Sequence, residues 1–231
     1  MFTVAGVLVA AAAGLGTFAL ARHPGAGGSQ GLRPSGIPAS VSTRLANLMV
    51  LSPLPRSAAP GFRLTDQAGR ALALPDFRGK VVVLEFMDDH CHDICPIVAQ
   101  EFVEAYHDLG PAAGEVVFAA VNVNPYYTSV HSVAAFSAEQ RLTTIPDWHF
   151  FTGPVPALRA AWRGYHIDVQ ATSRNNVEHT SAVYFIDPQG RERYLASPQD
   201  DHTKNGTAYL PFGQIAQWGQ GIAQLARTLT R

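Results

Sequence analysis

The chain contains only two cysteines, Cys91 and Cys95, and they stand four positions apart. Side chains at i and i+4 project from the same side of a helix, or of the loop that enters one. A disulfide across so short a loop does little to staple a fold, so the spacing indicates chemistry rather than architecture. Two neighbouring thiolates can close a disulfide or bind a soft cation. Sulfur donors suit Cu(I), and zinc accepts cysteine and histidine alike.

The two cysteines stand where a predicted strand ends and a predicted helix begins. The β-branched run from Val81 to Met87 is typical of a central strand that is buried on both faces. Residues 93–109 carry apolar side chains at helical spacing, and Gly110-Pro111 ends that pattern. Open α/β sheets have their functional sites at the carboxyl ends of strands, and the N-terminus of a helix favours a thiolate. Reactive thiols are therefore expected at this position.

The rest of the chain predicts an α/β domain with a thioredoxin-like fold. A short N-terminal hairpin is expected over residues 62–74, with turn-forming residues at 66–69. Further strands are predicted at 115–123, 148–151, 181–186 and 191–196, and helices at 130–142, 154–163 and 213–229. This order, entered by a hairpin, is that of a central mixed β-sheet flanked by helices.

A third donor decides between redox chemistry and metal binding. His179 stands just before the strand predicted at 181–186. In a thioredoxin-like sheet, the loop before that strand lies beside the loop that carries the cysteines. Two thiolates and one imidazole would bind Cu(I) trigonally, or Cu(II) together with water or another weak donor. His90 and His92 flank Cys91 and are expected to be solvated loop residues.

Composition and the N-terminal segment restrict the classes of partner and the organisation of the chain. The formal net charge is −1 and no run rich in Lys or Arg occurs, so no nucleic-acid partner is expected. Residues 1–21 carry no charged side chain and suit a transmembrane anchor or a signal segment, with Ala19-Leu20-Ala21 resembling a cleavage site. Residues 22–58 are expected to form a flexible linker that carries a short helix over residues 41–51, and residues 59–231 the folded domain.

Several segments together resemble the Sco/SenC family, which consists of membrane-anchored copper metallochaperones of cytochrome c oxidase assembly. The resemblance covers residues 59–196 and is carried most specifically by His90-Cys91-His92-Asp93-Ile94-Cys95-Pro96 and by His179-Thr180-Ser181. It implies a site for Cu(I) or Cu(II) at Cys91, Cys95 and His179. It also implies copper delivery to cytochrome c oxidase subunit II or another copper-accepting protein, or reduction of that partner's thiols. The domain would then lie outside the cytoplasm at the cell membrane, or be secreted if the N-terminal segment is cleaved.

Two departures from the family pattern lie beside the cysteines. Gly-Tyr-Thr-His usually precedes the first cysteine in the family, whereas this chain has Met87-Asp88-Asp89-His90. The extra carboxylates could add a hard ligand or accept a hydrogen bond from His179. Acidic residues that often follow the second strand are replaced here by amides and tyrosines, at Asn122, Asn124, Tyr126 and Tyr127. Their loss weakens the expectation that the chain docks to the usual partner, because charge complementarity steers such encounters.

The main alternative is an enzyme, a thiol–disulfide oxidoreductase that uses Cys91 and Cys95 without metal. General dithiol oxidoreductases on this fold usually carry Cys-x2-Cys, and the spacing here is one residue longer. A structural zinc site is less well supported, because it is usually four-coordinate and only three ligands are identified.

Overall fold

The computed structural model describes residues 32–230. In chain order its helices and strands are α1 (Thr43–Leu48), β1 (Ser52–Pro53), β2 (Arg63–Thr65), β3 (Ala71–Ala73), β4 (Val81–Met87), α2 (Ile94–Leu109), β5 (Val116–Asn122), α3 (Val130–Glu139), β6 (Trp148–Phe151), α4 (Val155–Gly164), β7 (Val169–Ser173), β8 (Asn176–His179), β9 (Val183–Ile186), β10 (Glu192–Ala196), β11 (Asp201–His202), β12 (Ala208–Tyr209) and α5 (Phe212–Leu229).

A six-stranded mixed sheet forms the centre of the fold, in the order β1-β10-β9-β4-β5-β6. Strand β4 pairs in parallel with β5, and β5 in parallel with β6. On its other side β4 pairs antiparallel with β9, which brings Leu84 opposite Tyr184. The thioredoxin-like sheet and the N-terminal hairpin β2–β3 that the sequence predicts are therefore confirmed.

Strand β4 is buried along its whole length because helices and the hairpin cover both faces of the sheet. Val81 and Val83 face a core built with α2, α3 and α5, whereas Leu84 and Phe86 face a core built with α4 and the hairpin. Helices α2 and α5 approach closely at Gly219, where a Cβ atom would lie 2.9 Å from the backbone nitrogen of Ala105. The sheet thus holds the carboxyl end of β4 in a fixed position.

The predicted flexible linker is wrong for the part of residues 22–58 that belongs to the core. Helix α1 is capped by Ser42, whose side chain accepts a hydrogen bond from the Leu45 backbone, and Leu45 and Met49 are buried in the core shared with α2 and α5. Strand β1 then pairs with β10. Apolar residues at helical spacing within a Pro- and Gly-rich stretch fold because α5 gives them a surface to cover. Residues 22–31 and the predicted anchor or signal at 1–21 lie outside the described residues.

Two further hairpins, β7–β8 and β11–β12, extend the domain beyond the predicted elements. Most side chains of β7 and β8 are exposed or half-buried, so the sequence over 169–179 lacks the apolar alternation of a core strand. No helix among the described residues is long and apolar enough to span a bilayer.

Candidate metal centre

The loop between β4 and α2 brings both cysteines to the carboxyl end of the central strand. The chain turns at Asp88, whose carbonyl accepts a hydrogen bond from the Cys91 backbone at 3.2 Å. Cys91 is half-buried at the end of this turn, and Cys95 is buried in the first turn of α2. The Asp93 N–H donates a hydrogen bond to Cys91 Sγ at 3.3 Å. The predicted position of the two thiols, between a buried strand and a helix N-terminus, is therefore what the structure has.

The two thiols differ in acidity because they share one hydrogen bond and lie at different depths. The hydrogen bond from Cys95 lowers the pKa of Cys91, an effect that burial partly opposes. The pKa of Cys95 is raised well above the usual thiol value, first by that same hydrogen bond and then by burial. Cys91 is thus the thiol that ionises first, and it is also the more accessible one.

His179 ends β8 and faces the cysteine pair across the top of the sheet. Its Nε2 atom lies 4.0 Å from Cys95 Sγ, and its Nδ1 atom lies 3.0 Å from the Thr180 carbonyl oxygen. A proton on Nδ1 satisfies that carbonyl and leaves the Nε2 lone pair directed at the cysteines. Burial lowers the pKa of His179, which keeps the imidazole neutral and able to bind a metal.

The separation of these two atoms suits an ion between them. At 4.0 Å the sulfur and the nitrogen are too far apart for a strong direct hydrogen bond. An ion about 2.3 Å from sulfur and about 2.0 Å from nitrogen, the lengths found in zinc sites, fits between them at an angle of roughly 135°. The pKa values of Cys91 and Cys95 are shifted in opposite directions by each other, as expected of neighbouring thiols. Cys95 and His179 therefore approach each other, and with the neighbouring Cys91 they offer two sulfur donors and one nitrogen donor, a soft set that suits copper.

Glu85, which is not among the predicted site residues, fixes the segment that carries His179. Its side chain lies in the middle of β4, where its Oε1 atom accepts hydrogen bonds from Ser181 Oγ and the Ala182 N–H, both at 3.1 Å. Burial raises the pKa of Glu85 to about 8. The pKa of buried Glu101 on α2 is also raised well above the usual value, first by burial and then by the charge of Glu85. A glutamate within a run of apolar strand residues was the available signal.

The loop after β5 supports the cysteine loop through its amide side chains. Asn124 Nδ2 donates a hydrogen bond to Asp88 Oδ1 at 2.9 Å, and the Asn124 N–H donates one to Asn122 Oδ1 at 2.8 Å. The ring of His90 stacks on Tyr127, with 3.5 Å between the ring centres. His90 is therefore fixed against this loop, although it is exposed to solvent as expected.

His92 and Asp93 lie on the outer side of the cysteine loop. Both are exposed, and Asp93 pairs with His202 of β11 at 3.3 Å. The hairpin β11–β12 thus contacts the loop between the two cysteines, a contact that nothing in the local sequence predicts.

The family model described as SCO1/SenC matches residues 53–208 of this chain. The chain belongs to the SCO1/SenC family. Among curated SCO1/SenC relatives, the human "Protein SCO2 homolog, mitochondrial" is 29% identical over 151 residues, which are 58% of this chain and 53% of that protein. The bovine homologue of the same name is also 29% identical, over 149 residues, with the same coverage. The chain thus spans about half the length of these relatives.

Solved SCO1/SenC structures share the fold. "Structure of Bradyrhizobium japonicum ScoI with copper bound" has a TM-score of 0.59 and 18% identity, covering 75% of this chain and 99% of that one. The Arabidopsis thaliana ScoI, also described with copper bound, has a TM-score of 0.59 and 21% identity over 74% of this chain and 99% of that one. BsSco, described as containing a disulfide switch, has a TM-score of 0.54 and 20% identity over 74% of this chain and 96% of that one.

Proposed function

We propose that this protein binds one copper ion through Cys91, Cys95 and His179 and passes it to the copper centre of cytochrome c oxidase. The observation that carries the proposal is the 4.0 Å approach of His179 Nε2 to Cys95 Sγ, because a bare dithiol does not need that imidazole. Two of the relatives with the same fold are described with copper bound. Another is described as a member of the Sco family of cytochrome c oxidase assembly proteins, which supports an oxidase as the destination.

Copper fits the chemistry of the unloaded site. Ligand thiols must lose their protons when metal binds. Cys91 has a lowered pKa and ionises readily, whereas the proton of Cys95, whose pKa is raised, would be displaced by the incoming ion and released to solvent. A half-buried Cys91 above a buried Cys95 lets a partner's thiols reach the metal from one side. Exchange of ligands between two thiolate sites can then move the ion without releasing it to water.

A copper titration tests the proposal. The reduced full-length chain is titrated with Cu(I) against a Cu(I)-selective chelator, and one ion per chain is expected. The double variant Cys91→Ser/Cys95→Ser should lose this binding, whereas His107→Ala, at an exposed position near the end of α2, should keep it. Equal binding by the double variant would place the copper elsewhere. Transfer is then measured by mixing the loaded chain with the metal-free soluble domain of an oxidase subunit II.

A second candidate is a thiol–disulfide oxidoreductase, and the unequal thiols favour it. The Cys91 thiolate would attack a disulfide of the partner, releasing one partner thiolate and leaving a mixed disulfide. Cys95 would then displace the second partner thiolate, so that the partner is reduced and the Cys91–Cys95 pair oxidised. The wild-type chain should reduce a test disulfide faster than Cys95→Ser if this activity exists. Equal rates would leave copper binding as the function of the pair.

We assign residues 1–21 as the segment that anchors the protein to a membrane or directs its export. The domain would then act outside the cytoplasm. Fractionation of cells that express the full chain, followed by sequencing of its N-terminus, distinguishes an anchor from a cleaved signal.

A further inference from the structure

Two buried aspartates follow each other directly after β4, at positions where the family pattern has uncharged residues. Asp88 is 6% exposed and Asp89 is 8% exposed. Within residues 32–230, no lysine or arginine pairs with either carboxylate. Charged side chains are almost never buried without a partner, because the loss of hydration is large. The pair therefore points to a positive charge that the basic side chains of the described chain do not supply.

His90 adds a nitrogen donor to these two carboxylates. Its Nδ1 atom lies 3.2 Å from Asp89 Oδ1, and 39% of its side chain is exposed to solvent. One ligand atom from each of Asp88, Asp89 and His90 lies within 4.8 Å of the other two. An ion about 2.1 Å from both Nδ1 and Oδ1, a length found in zinc sites, would join them at roughly 100°, close to a tetrahedral angle. The three donors are thus near enough to bind a single ion.

One oxygen of the Asp89 carboxylate lacks a hydrogen-bond partner within residues 32–230. The side chain is fully buried, and Oδ2 accepts no hydrogen bond from any group in that range. Ser132 of α3 also faces this carboxylate but leaves Oδ2 without a hydrogen bond. Buried polar atoms nearly always have a partner, so an exception needs an explanation. A cation held between the carboxylates and the imidazole would give this oxygen its missing partner.

The loop after β5 holds the donors in place from outside the group. Asn124 Nδ2 donates a hydrogen bond to Asp88 Oδ1 at 2.9 Å, and buried Asn124 is itself held by Asn122 at 2.8 Å. The His90 ring stacks on Tyr127 with 3.5 Å between the ring centres. Donors that are already held lose little freedom when a ligand binds. The group is therefore organised for binding before an ion arrives.

A second group of possible ligands, Asp93, Asp200 and His202, lies on the outer side of the cysteine loop. Asp93 and His202 are exposed, and both carboxylates pair with the same nitrogen, His202 Nε2, at 3.3 and 3.5 Å. None of its side-chain oxygens is among the buried atoms that lack a partner in the described residues. Ordinary surface ion pairs explain this second group, whereas they do not explain the buried carboxylates after β4.

We propose that Asp88, Asp89 and His90 bind a divalent transition-metal ion through carboxylate oxygens and one imidazole nitrogen, at a site separate from the three proposed copper ligands. These donors are harder than a pair of thiolates and suit an ion such as Zn²⁺, with water completing the coordination. The ion would neutralise both carboxylates and fix the segment that enters the cysteine loop. The inference does not need copper at the cysteines, so it and the proposed function can fail independently.

The test uses the full-length chain with Cys91→Ser and Cys95→Ser, because these changes remove the thiol donors. Zn²⁺ is titrated against a competing chelator, and one ion per chain is expected. Co²⁺ then serves as a spectroscopic probe and should give ligand-field bands without sulfur-to-cobalt charge transfer. His90→Ala and Asp89→Asn are each added to this parent. The matched control is His92→Ala, which removes an exposed histidine of the same loop that lies outside the group.

His90→Ala and Asp89→Asn should each weaken Zn²⁺ binding by at least about tenfold, since even the partners of metal ligands typically contribute that much. The control His92→Ala should bind like the parent. Circular dichroism checks the folding of each variant, and His90→Ala, at an exposed position, decides the question if Asp89→Asn does not fold.

Unchanged Zn²⁺ affinity in the folded His90→Ala variant would overturn the inference. A parent chain that binds no Zn²⁺ would do the same, whatever the copper titration of the wild type shows. His202→Ala is measured in parallel, because a loss of binding confined to that variant would place the ion in the outer group instead.

Discussion

The Nε2 atom of His179 lies 4.0 Å from the sulfur of Cys95, although 84 residues separate the two in the chain. The antiparallel pairing of β4 with β9 produces this approach, because the loop that enters β9 then lies beside the loop that leaves β4. Glu85 strengthens the connection by accepting hydrogen bonds from Ser181 and Ala182, immediately after the histidine segment. The position of the imidazole thus follows from the sheet and from one buried carboxyl group.

Replacement of His179 by alanine is expected to weaken Cu(II) binding by at least about tenfold, as typically follows when a metal-site group is lost. Cu(I) binding should fall less, because two thiolates alone can hold that ion. Competition titrations with each oxidation state measure both effects. The control is His131→Ala, which alters an exposed histidine at the start of α3. Cu(II) affinity equal to that of the wild type would show that His179 is not a ligand.

Cys91 should react with iodoacetamide at least about ten times faster than Cys95 in the reduced, metal-free chain. Cys91 has the lowered pKa and is half-buried, whereas Cys95 has a raised pKa and is buried. Peptide mass spectrometry after brief alkylation measures the two rates. In Cys95→Ser, the hydrogen bond from the second thiol is replaced by one from a hydroxyl. Equal rates in the folded chain, matching those in denaturant, would contradict the proposed difference in acidity.

The sequence predicts the part of the site whose geometry is local. Cys91 and Cys95 stand where an apolar strand ends and a helical pattern begins, so their position needs no tertiary information. His179 depends on strand pairing across the sheet, and only resemblance to a known family selects it. The support that Asn124 gives to Asp88 is not predictable from the sequence, because it rests on one hydrogen bond between two loops. The short helix expected over residues 41–51 is present as α1, but its place in the core is not predictable locally, because its stability comes from packing on α5 rather than from its own six residues.

Asn122→Ala should lower the free energy of unfolding by about 2–3 kcal/mol, because it leaves buried backbone partners unsatisfied. Asn122 Nδ2 donates to the Tyr127 carbonyl at 2.6 Å, and its Oδ1 atom accepts from the Asn124 N–H. Chemical denaturation measures the loss. Asn176→Ala is the control, since that asparagine is exposed on β8 and its removal should change stability by less than about 0.5 kcal/mol. A similar loss for both variants would mean that the loop after β5 is not held by Asn122.

Stability should fall as the pH rises from about 4.5 to about 8, because the pKa of Glu85 is raised to about 8 by burial from its usual 4.5. In that window the unfolded chain has released this proton while the folded chain keeps it, so each pH unit lowers the free energy of unfolding by up to about 1.4 kcal/mol. Glu85→Gln keeps an acceptor oxygen for Ser181 and Ala182 but cannot ionise, so its stability curve should be flatter. Urea denaturation at half-unit pH steps measures the slopes, and Glu139→Gln, at an exposed site, should follow the wild type. Parallel curves for Glu85→Gln and the wild type would show that Glu85 is ionised in the folded protein throughout this range.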